Sequence, residues 1–365
     1  MSFDFAQDLF KKPDKRKKFL LLLGALLFFN LFVFGAFYYS IKNNKNLSKI
    51  AFMTNKASGI LATPTPFPFY ELTIPYLRQR SYDSRLLEMR EVARNSGYAS
   101  YLASYTSDSL KINGLLTVPT GNKPDEGWPA IIFVHGYITP ASYQTLVNYS
   151  SYVDYLAKNG FVVFKIDLRG HADSEGEPGG AYYSSDYIID VLNARSALQN
   201  LDFVEPSKIG LWGHSMAGNV VMRSLAASPS IPAVVIWAGA VYTYEDFQKF
   251  GIGDNSYRPP PEQSESRRKR NELFATYGQF NPESEFWKLV QATNYLSDIK
   301  GAVSINHAVD DTVVNIGYSR SLNSLLDKTT IEHELNEYSN GGHNLSGTTF
   351  NQAMQNTVRF FKENL

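Results

Sequence analysis

Five short runs, apolar almost end to end, constrain this 365-residue chain more than any other feature: AIIFVHG (130–136), GFVVFKIDLRG (160–170), KIGLWGHS (208–215), AVVIWAGA (233–240) and AVSINHAVDD (302–311). A strand with one wet face alternates apolar and polar residues. These runs do not, so each is expected to be buried on both sides. Helical patterns separate most of them, for example at 150–159 and 187–199. Uniformly apolar strands alternating with helices imply an α/β fold, a mostly parallel sheet with helices on both faces. Ligands of such sheets bind beyond the carboxyl ends of the strands. Ahead of the runs, SYLASYTSD and LKINGLLTVP alternate around a polar turn and read as an antiparallel pair. Residues 75–98 carry charged and apolar residues at helical spacing, with Gly97 as a stop, and are expected to form a helical lead-in.

Residues 19–41, FLLLLGALLFFNLFVFGAFYYSI, hold no charge. As a helix this run spans about 35 Å, enough to cross the hydrocarbon core. It is too long for the apolar part of a cleaved signal peptide. Lys11, Lys12, Lys15, Arg16, Lys17 and Lys18 precede it, and more widely spaced lysines follow. The positive-inside bias then keeps a basic tail (1–18) in the cytoplasm and places everything after the span outside the cell membrane. A Pro-rich stem (42–74) follows. The expected partner of 19–41 is the lipid bilayer. Formal charge is zero, from 35 basic and 35 acidic residues, which gives no electrostatic reason to expect nucleic acid. The absence of cysteine excludes disulfides and thiolate chemistry.

The run KIGLWGHS leads straight into the helical pattern MAGNVVMRSLA, with Ser215 at the bend. A strand entering a helix through so tight a turn strains the intervening residue and exposes its Oγ above the sheet. Small neighbours are required there; Gly213, Ala217 and Gly218 supply them. A serine hydroxyl needs a base to take its proton and an acid to orient that base. In this topology the chain order is serine, acid, histidine. Of the histidines after Ser215, His343 lies in a Gly-rich loop between the last strand and the last helix. His333 sits within an alternating run, and His307 stands beside the candidate acids. His343 is therefore the expected base. Asp310 is the expected acid and Asp311 the alternative. The backbone N–H groups of Met216 and of Tyr137, the latter in the loop opened by Gly136, are the expected oxyanion donors. His135 is expected to organise that loop. No metal and no organic cofactor is called for by this chemistry, and no cluster of metal ligands is evident.

The ordered set FVHGY, KIDLRGHADSEG, GLWGHSMAG, the Asp310–Asp311 pair and GGH at 341–343 resembles the α/β-hydrolase superfamily. YTSDSLKINGLLTVP and DLRGHADSEG resemble more particularly the catalytic domain of the prolyl oligopeptidase group, of which dienelactone-hydrolase-like esterases are close relatives. The resemblance covers about 99–365. It implies an eight-stranded, mostly parallel fold and a Ser-Asp-His triad carried by Ser215, Asp310 and His343. Asn306-His307 stands where the family often has His-Gly, and Ala172 and Ala217 replace frequent glycines. The β-propeller of true prolyl oligopeptidases has no room between stem and domain. The implied activity is that of a serine peptidase, with a carboxylesterase as the alternative and a tethered, non-catalytic binding module as the reading from another class. The substrate is accordingly a peptide or a small ester. An insertion at 241–296 is expected to form a partial cap above the site, with Tyr242, Tyr244 and Phe247, then Phe250 and Tyr257, lining an apolar pocket. Within it RRKR (267–270) reads as a solvated helical face.

Overall fold

The computed structural model describes residues 67–365. The expected basic tail, the membrane span at 19–41 and most of the stem lie outside the described residues. Among the described residues no helix is long and apolar enough to cross a membrane.

Nine strands form one sheet: β1 (Leu86–Arg94), β2 (Tyr98–Ser107), β3 (Leu110–Pro119), β4 (Trp128–Val134), β5 (Val162–Ile166), β6 (Val204–His214), β7 (Ala233–Trp237), β8 (Ala302–Ala308) and β9 (His333–Tyr338). Their order is β1-β2-β3-β5-β4-β6-β7-β8-β9. The pairs β1/β2, β2/β3 and β3/β5 are antiparallel. Every pair from β5/β4 to β8/β9 is parallel. The sheet thus has one strand more than the resemblance implied.

The extra strand corrects the helical lead-in expected at 75–98. Only α1 (Ile74–Gln79) is helical there, opened by Thr73, whose Oγ1 accepts from the Tyr76 amide at 3.3 Å. Residues 86–94 instead pair with β2, from Leu86 opposite Tyr105 to Arg94 opposite Ala99. Nearly all of β1 is exposed. An edge strand wet on both faces has no two-residue alternation to display, so its charges read as a helix. Those same charges discourage pairing with another chain.

Five of the six parallel strands, β4 to β8, explain the five apolar runs. Ala130, Ile132 and Val134 of β4 point into one core, while Ile131 and Phe133 point into the other. Val234 and Ile236 of β7 alternate in the same way with Val235 and Trp237. The first core is closed by α3 (Asp186–Gln199), α4 (Met216–Ala227) and α8 (Gly317–Leu326); the second by α2 (Ser150–Lys158) and α9 (Thr348–Asn364). Both faces are dry, so both parities are apolar.

The insertion after β7 carries α5 (Tyr244–Phe250), α6 (Glu265–Tyr277) and α7 (Glu285–Val290). It builds a small core from Tyr244, Leu273, Phe280, Phe286, Trp287 and Val290, joined by Leu72 from ahead of the sheet.

Candidate active site

Ser215 sits between β6 and α4 at φ 56°, ψ −120°, a backbone conformation that L-residues other than glycine rarely adopt. Its amide is fixed to the Trp237 carbonyl of β7 at 2.9 Å. Its side chain is half-exposed, whereas His214, Met216 and Ala217 around it are buried. The turn is as tight as the small residues suggest. A Cβ on Gly213 would lie 2.7 Å from the Ala217 carbonyl oxygen, and one on Gly218 would lie 2.6 Å from Gly239 Cα. Glycine is required at 213 and 218. The Ala217 methyl is accommodated in the core.

The acid is a correction. His343 Nδ1 pairs with Asp311 Oδ2 at 2.8 Å, and not with Asp310. Asp311 is buried and also accepts from His307 Nε2 at 3.0 Å and from the amides of Val313 and Val314. Burial opposes its charge. The hydrogen bonds from His307 and His343 outweigh burial and hold the carboxyl well below the usual range. Asp310 is exposed, and its Oδ1 accepts from the Gly342 amide at 2.8 Å. It braces the backbone of the histidine loop instead of the imidazole. The two carboxylates leave the strand end in opposite directions, one inward to the ring and one outward to the loop.

Ser215, Asp311 and His343 follow β6, β8 and β9, all at the carboxyl end of the sheet. The His343 carbonyl accepts from His214 Nε2 at 2.9 Å, so the base lies beside the residue preceding the serine. Among the described residues neither the Ser215 hydroxyl nor His343 Nε2 makes a hydrogen bond. Both are free for a bound substrate, in which such bonds commonly tighten.

The loop after β4 brings Gly136 and Tyr137 to the same end. The Tyr137 amide has no protein acceptor among the described residues, and Met216, as the first residue of α4, presents one of the orphan N–H groups of a helix start. His135 is buried and bonds the Gly136 carbonyl through Nδ1 at 2.7 Å. Burial, with His171 beside it, keeps its pKa well below the ordinary value. Two charged residues of β5 and its end hold the remainder of the loop. Lys165 Nζ donates to the carbonyls of Thr145 (2.6 Å) and Asn148 (2.8 Å). Asp167 accepts from Tyr143 Oη (2.9 Å) and Thr145 Oγ1 (2.6 Å). Burial pushes Lys165 down to about 8 and Asp167 up to about 6. Sequence reasoning missed this pair. A lysine and an aspartate two apart in an otherwise apolar run were the available signal.

The pocket expected from the cap aromatics is a second correction. Tyr242 is buried in the main core, and Tyr244 stacks on Phe280 at 4.7 Å inside the cap. Phe247 packs edge-on against the same Phe280 at 5.4 Å. The cavity that Tyr242 and Tyr244 share with Asn219 and Arg223 measures about 10 Å³, room for one water. Tyr244 and Phe247 pack inside the cap, and Tyr242 packs in the core beneath it, instead of lining an open pocket. The part of the insertion that reaches the site is the segment 251–258. Gly251 O accepts from Tyr318 Oη at 3.0 Å, and the Gly253 amide donates to Val313 O at 2.8 Å, next to the acid loop. At the other end the Arg258 amide donates to Tyr137 Oη at 3.0 Å, and the Tyr137 and Tyr257 rings lie 5.3 Å apart. A strap thus runs from the acid loop to the oxyanion loop. Ile252 and Tyr257 along it, and Val309 beside the acid loop, are exposed.

The family model described as serine aminopeptidase, S33, matches residues 128–256. A thiohydrolase, aneE, from Aspergillus aculeatus is 31% identical over 113 residues, 31% of this chain and 33% of that protein. A bis(hydroxyethyl) terephthalate hydrolase from Streptomyces coelicolor is 26% identical over 122 residues, 33% of this chain and 36% of its own length. The chain therefore spans about a third of the length of these curated relatives. Among solved structures, acetyl xylan esterase 1 from Thermoanaerobacterium superposes with a TM-score of 0.56 at 20% identity, over 81% of this chain and 95% of its own. An acylaminoacyl peptidase superposes with a TM-score of 0.55 at 18% identity, over 74% of this chain but 42% of its own.

Proposed function

We propose that this chain, a member of the α/β-hydrolase superfamily, is a serine hydrolase that cleaves a carboxylic ester or amide through an acyl-enzyme. The carrying observation is the buried Asp311 carboxylate 2.8 Å from His343 Nδ1, on a loop packed beside the strained Ser215. His343 Nε2 takes the proton of Ser215 Oγ as the oxygen attacks the carbonyl carbon, and Asp311 supports the imidazolium. The Met216 and Tyr137 amides receive the oxyanion. The imidazolium passes its proton to the leaving alkoxide or amine. Water, deprotonated by the same imidazole, then attacks the acyl-enzyme, releasing the acid and restoring Ser215.

Esters are the first reading of the substrate. An acetyl xylan esterase is overlaid over 95% of its chain, whereas the peptidase is overlaid over less than half of its own. The peptidase reading rests on DLRGHADSEG (167–176) and the antiparallel lead-in β2–β3. The apolar span at 19–41 and its basic flank support attachment to the cell membrane, with the enzyme outside.

A fluorophosphonate probe tests the chemistry: it labels the wild-type protein and leaves Ser215→Ala unlabelled. Folded wild-type protein that takes no label sinks the hydrolase reading in favour of a tethered binding module. Turnover of p-nitrophenyl esters against short peptidyl amides ranks the two substrate readings.

A further inference from the structure

Three loops meet behind Ser215: the oxyanion loop after β4, the turn between β6 and α4, and the loop carrying His343. Two side chains outside the triad join them. The Gly136 amide donates to Tyr149 Oη at 3.0 Å; Tyr149 Oη lies 2.7 Å from His214 Nδ1; and His214 Nε2 lies 2.9 Å from the His343 carbonyl oxygen. Chemistry allows only one direction for this chain. A carbonyl oxygen only accepts, so His214 must carry its proton on Nε2. In the neutral ring Nδ1 is then a lone pair, and the Tyr149 hydroxyl must donate to it. The Tyr149 oxygen in turn receives the Gly136 N–H, a group with no other role to play. His214 is buried, and burial, aided by the neighbouring His343, pushes its pKa down to about 3, so the neutral ring persists throughout the working pH range.

Two further observations show that the chain is built in. Tyr149 adopts φ 60°, ψ 19°, the left-handed region that non-glycine residues seldom occupy. A Cβ on Gly136 would lie 2.8 Å from Tyr149 Oη and 3.0 Å from His214 Nδ1. The oxyanion loop therefore rests directly on the Tyr149–His214 hydrogen bond, with no space between.

We infer that Tyr149 and His214 are positioning residues, a directed three-bond chain that sets the oxyanion loop at a fixed distance from the loop bearing the base. The inference rests on the serine-hydrolase reading above. Neither residue exchanges a proton with substrate. The chain locks the His135–Gly136 peptide, one before the peptide that carries the Tyr137 amide, to the backbone of His343, so that the oxyanion donor and the base stay in register while charge develops. A sub-ångström slip in such a register costs transition-state stabilisation and little ground-state binding.

Tyr149→Phe in the full-length protein is the test, because it removes the hydroxyl and keeps the ring that packs on Phe133 (5.5 Å) and His214 (5.7 Å). The expected result is a fall of about 10–100-fold in kcat with KM within about two-fold. Affinity for a trifluoromethyl ketone, which places an oxyanion in the same site, should fall in parallel with kcat/KM. His214→Leu should behave alike. His214→Gln, which keeps a donor for the His343 carbonyl, should recover part of the loss. The double variant Tyr149→Phe/His214→Leu should be no worse than the poorer single one, because either change breaks the same chain. Exchange of the Gly136 amide hydrogen should quicken in Tyr149→Phe whether or not turnover is measured. Wild-type activity with unchanged kcat and ketone affinity in Tyr149→Phe, or losses that add in the double variant, overturns the positioning role alone. Failure of the wild type to label at Ser215 overturns the hydrolase reading and the positioning role with it.

Discussion

At the scale of single residues, Asp310 and Asp311 show how much one position along the backbone decides. Both are carboxylates at the end of β8, yet one is buried against two imidazoles and two amides while the other is exposed. Asp311→Asn should lower kcat by about 10³–10⁴-fold, since the amide holds the imidazole in the wrong tautomer or none. Asp310→Asn should cost only a few-fold, through a looser Gly342; steady-state rates on one activated ester separate the two. The depressed pKa of Asp311 carries a sign. Its stabilising contribution is present above the ordinary aspartate value near 4 and is lost as pH falls below it. The elbow makes an equally local prediction. Gly213→Ala drives a methyl to 2.7 Å from a backbone oxygen and should cost about 1–3 kcal/mol together with most of the activity. Ala217→Gly should leave the rate nearly unchanged. Melting temperature and probe labelling report both.

Among the elements, the loop after β4 depends on β5 more than on its own sequence. Lys165 and Asp167 are buried and spend their hydrogen bonds on that loop. Lys165→Met leaves the partly buried Thr145 and Asn148 carbonyls without their donor, and should destabilise by about 1–3 kcal/mol in urea unfolding. Asp167 has a raised pKa in the folded state. Its contribution is fully present below the unfolded value near 4 and is lost as pH rises through about 6. The wild-type stability should therefore carry a downward component across that window, which Asp167→Asn abolishes. The cap illustrates the opposite dependence. Its aromatic spacing identified an insertion with apolar content, but Tyr244, Phe247 and Phe280 spend that content on each other. Only the strap at 251–258 reaches the site, held by backbone groups and by the hydroxyls of Tyr137 and Tyr318, none of which has a compositional signature. β1 was illegible for a related reason: exposed on both faces, it carries no burial pattern to read.

For the whole molecule, the span at 19–41 makes the prediction that matters most for its setting. The full-length protein should remain in the membrane pellet through high salt and alkaline carbonate and leave it only with detergent. Release by carbonate alone would refute the anchor. The sheet, its parallel half and the place of Ser215 were legible because each depends on local facts. A strand dry on both faces is apolar at every position, and a strand-to-helix turn without room for side chains is written in glycine and alanine. His343 was legible by chain order within that topology. What the sequence could not determine were the contacts between distant positions. Tyr149 meets His214 across 65 residues, and His214 meets the His343 carbonyl across 129. Whether Asp310 or Asp311 faces the imidazole depends on which way each side chain leaves a bend after β8. Local composition records what a segment must bury. Only the packed fold decides which polar groups come within 3 Å of one another, because that distance is set by every layer of the core between them.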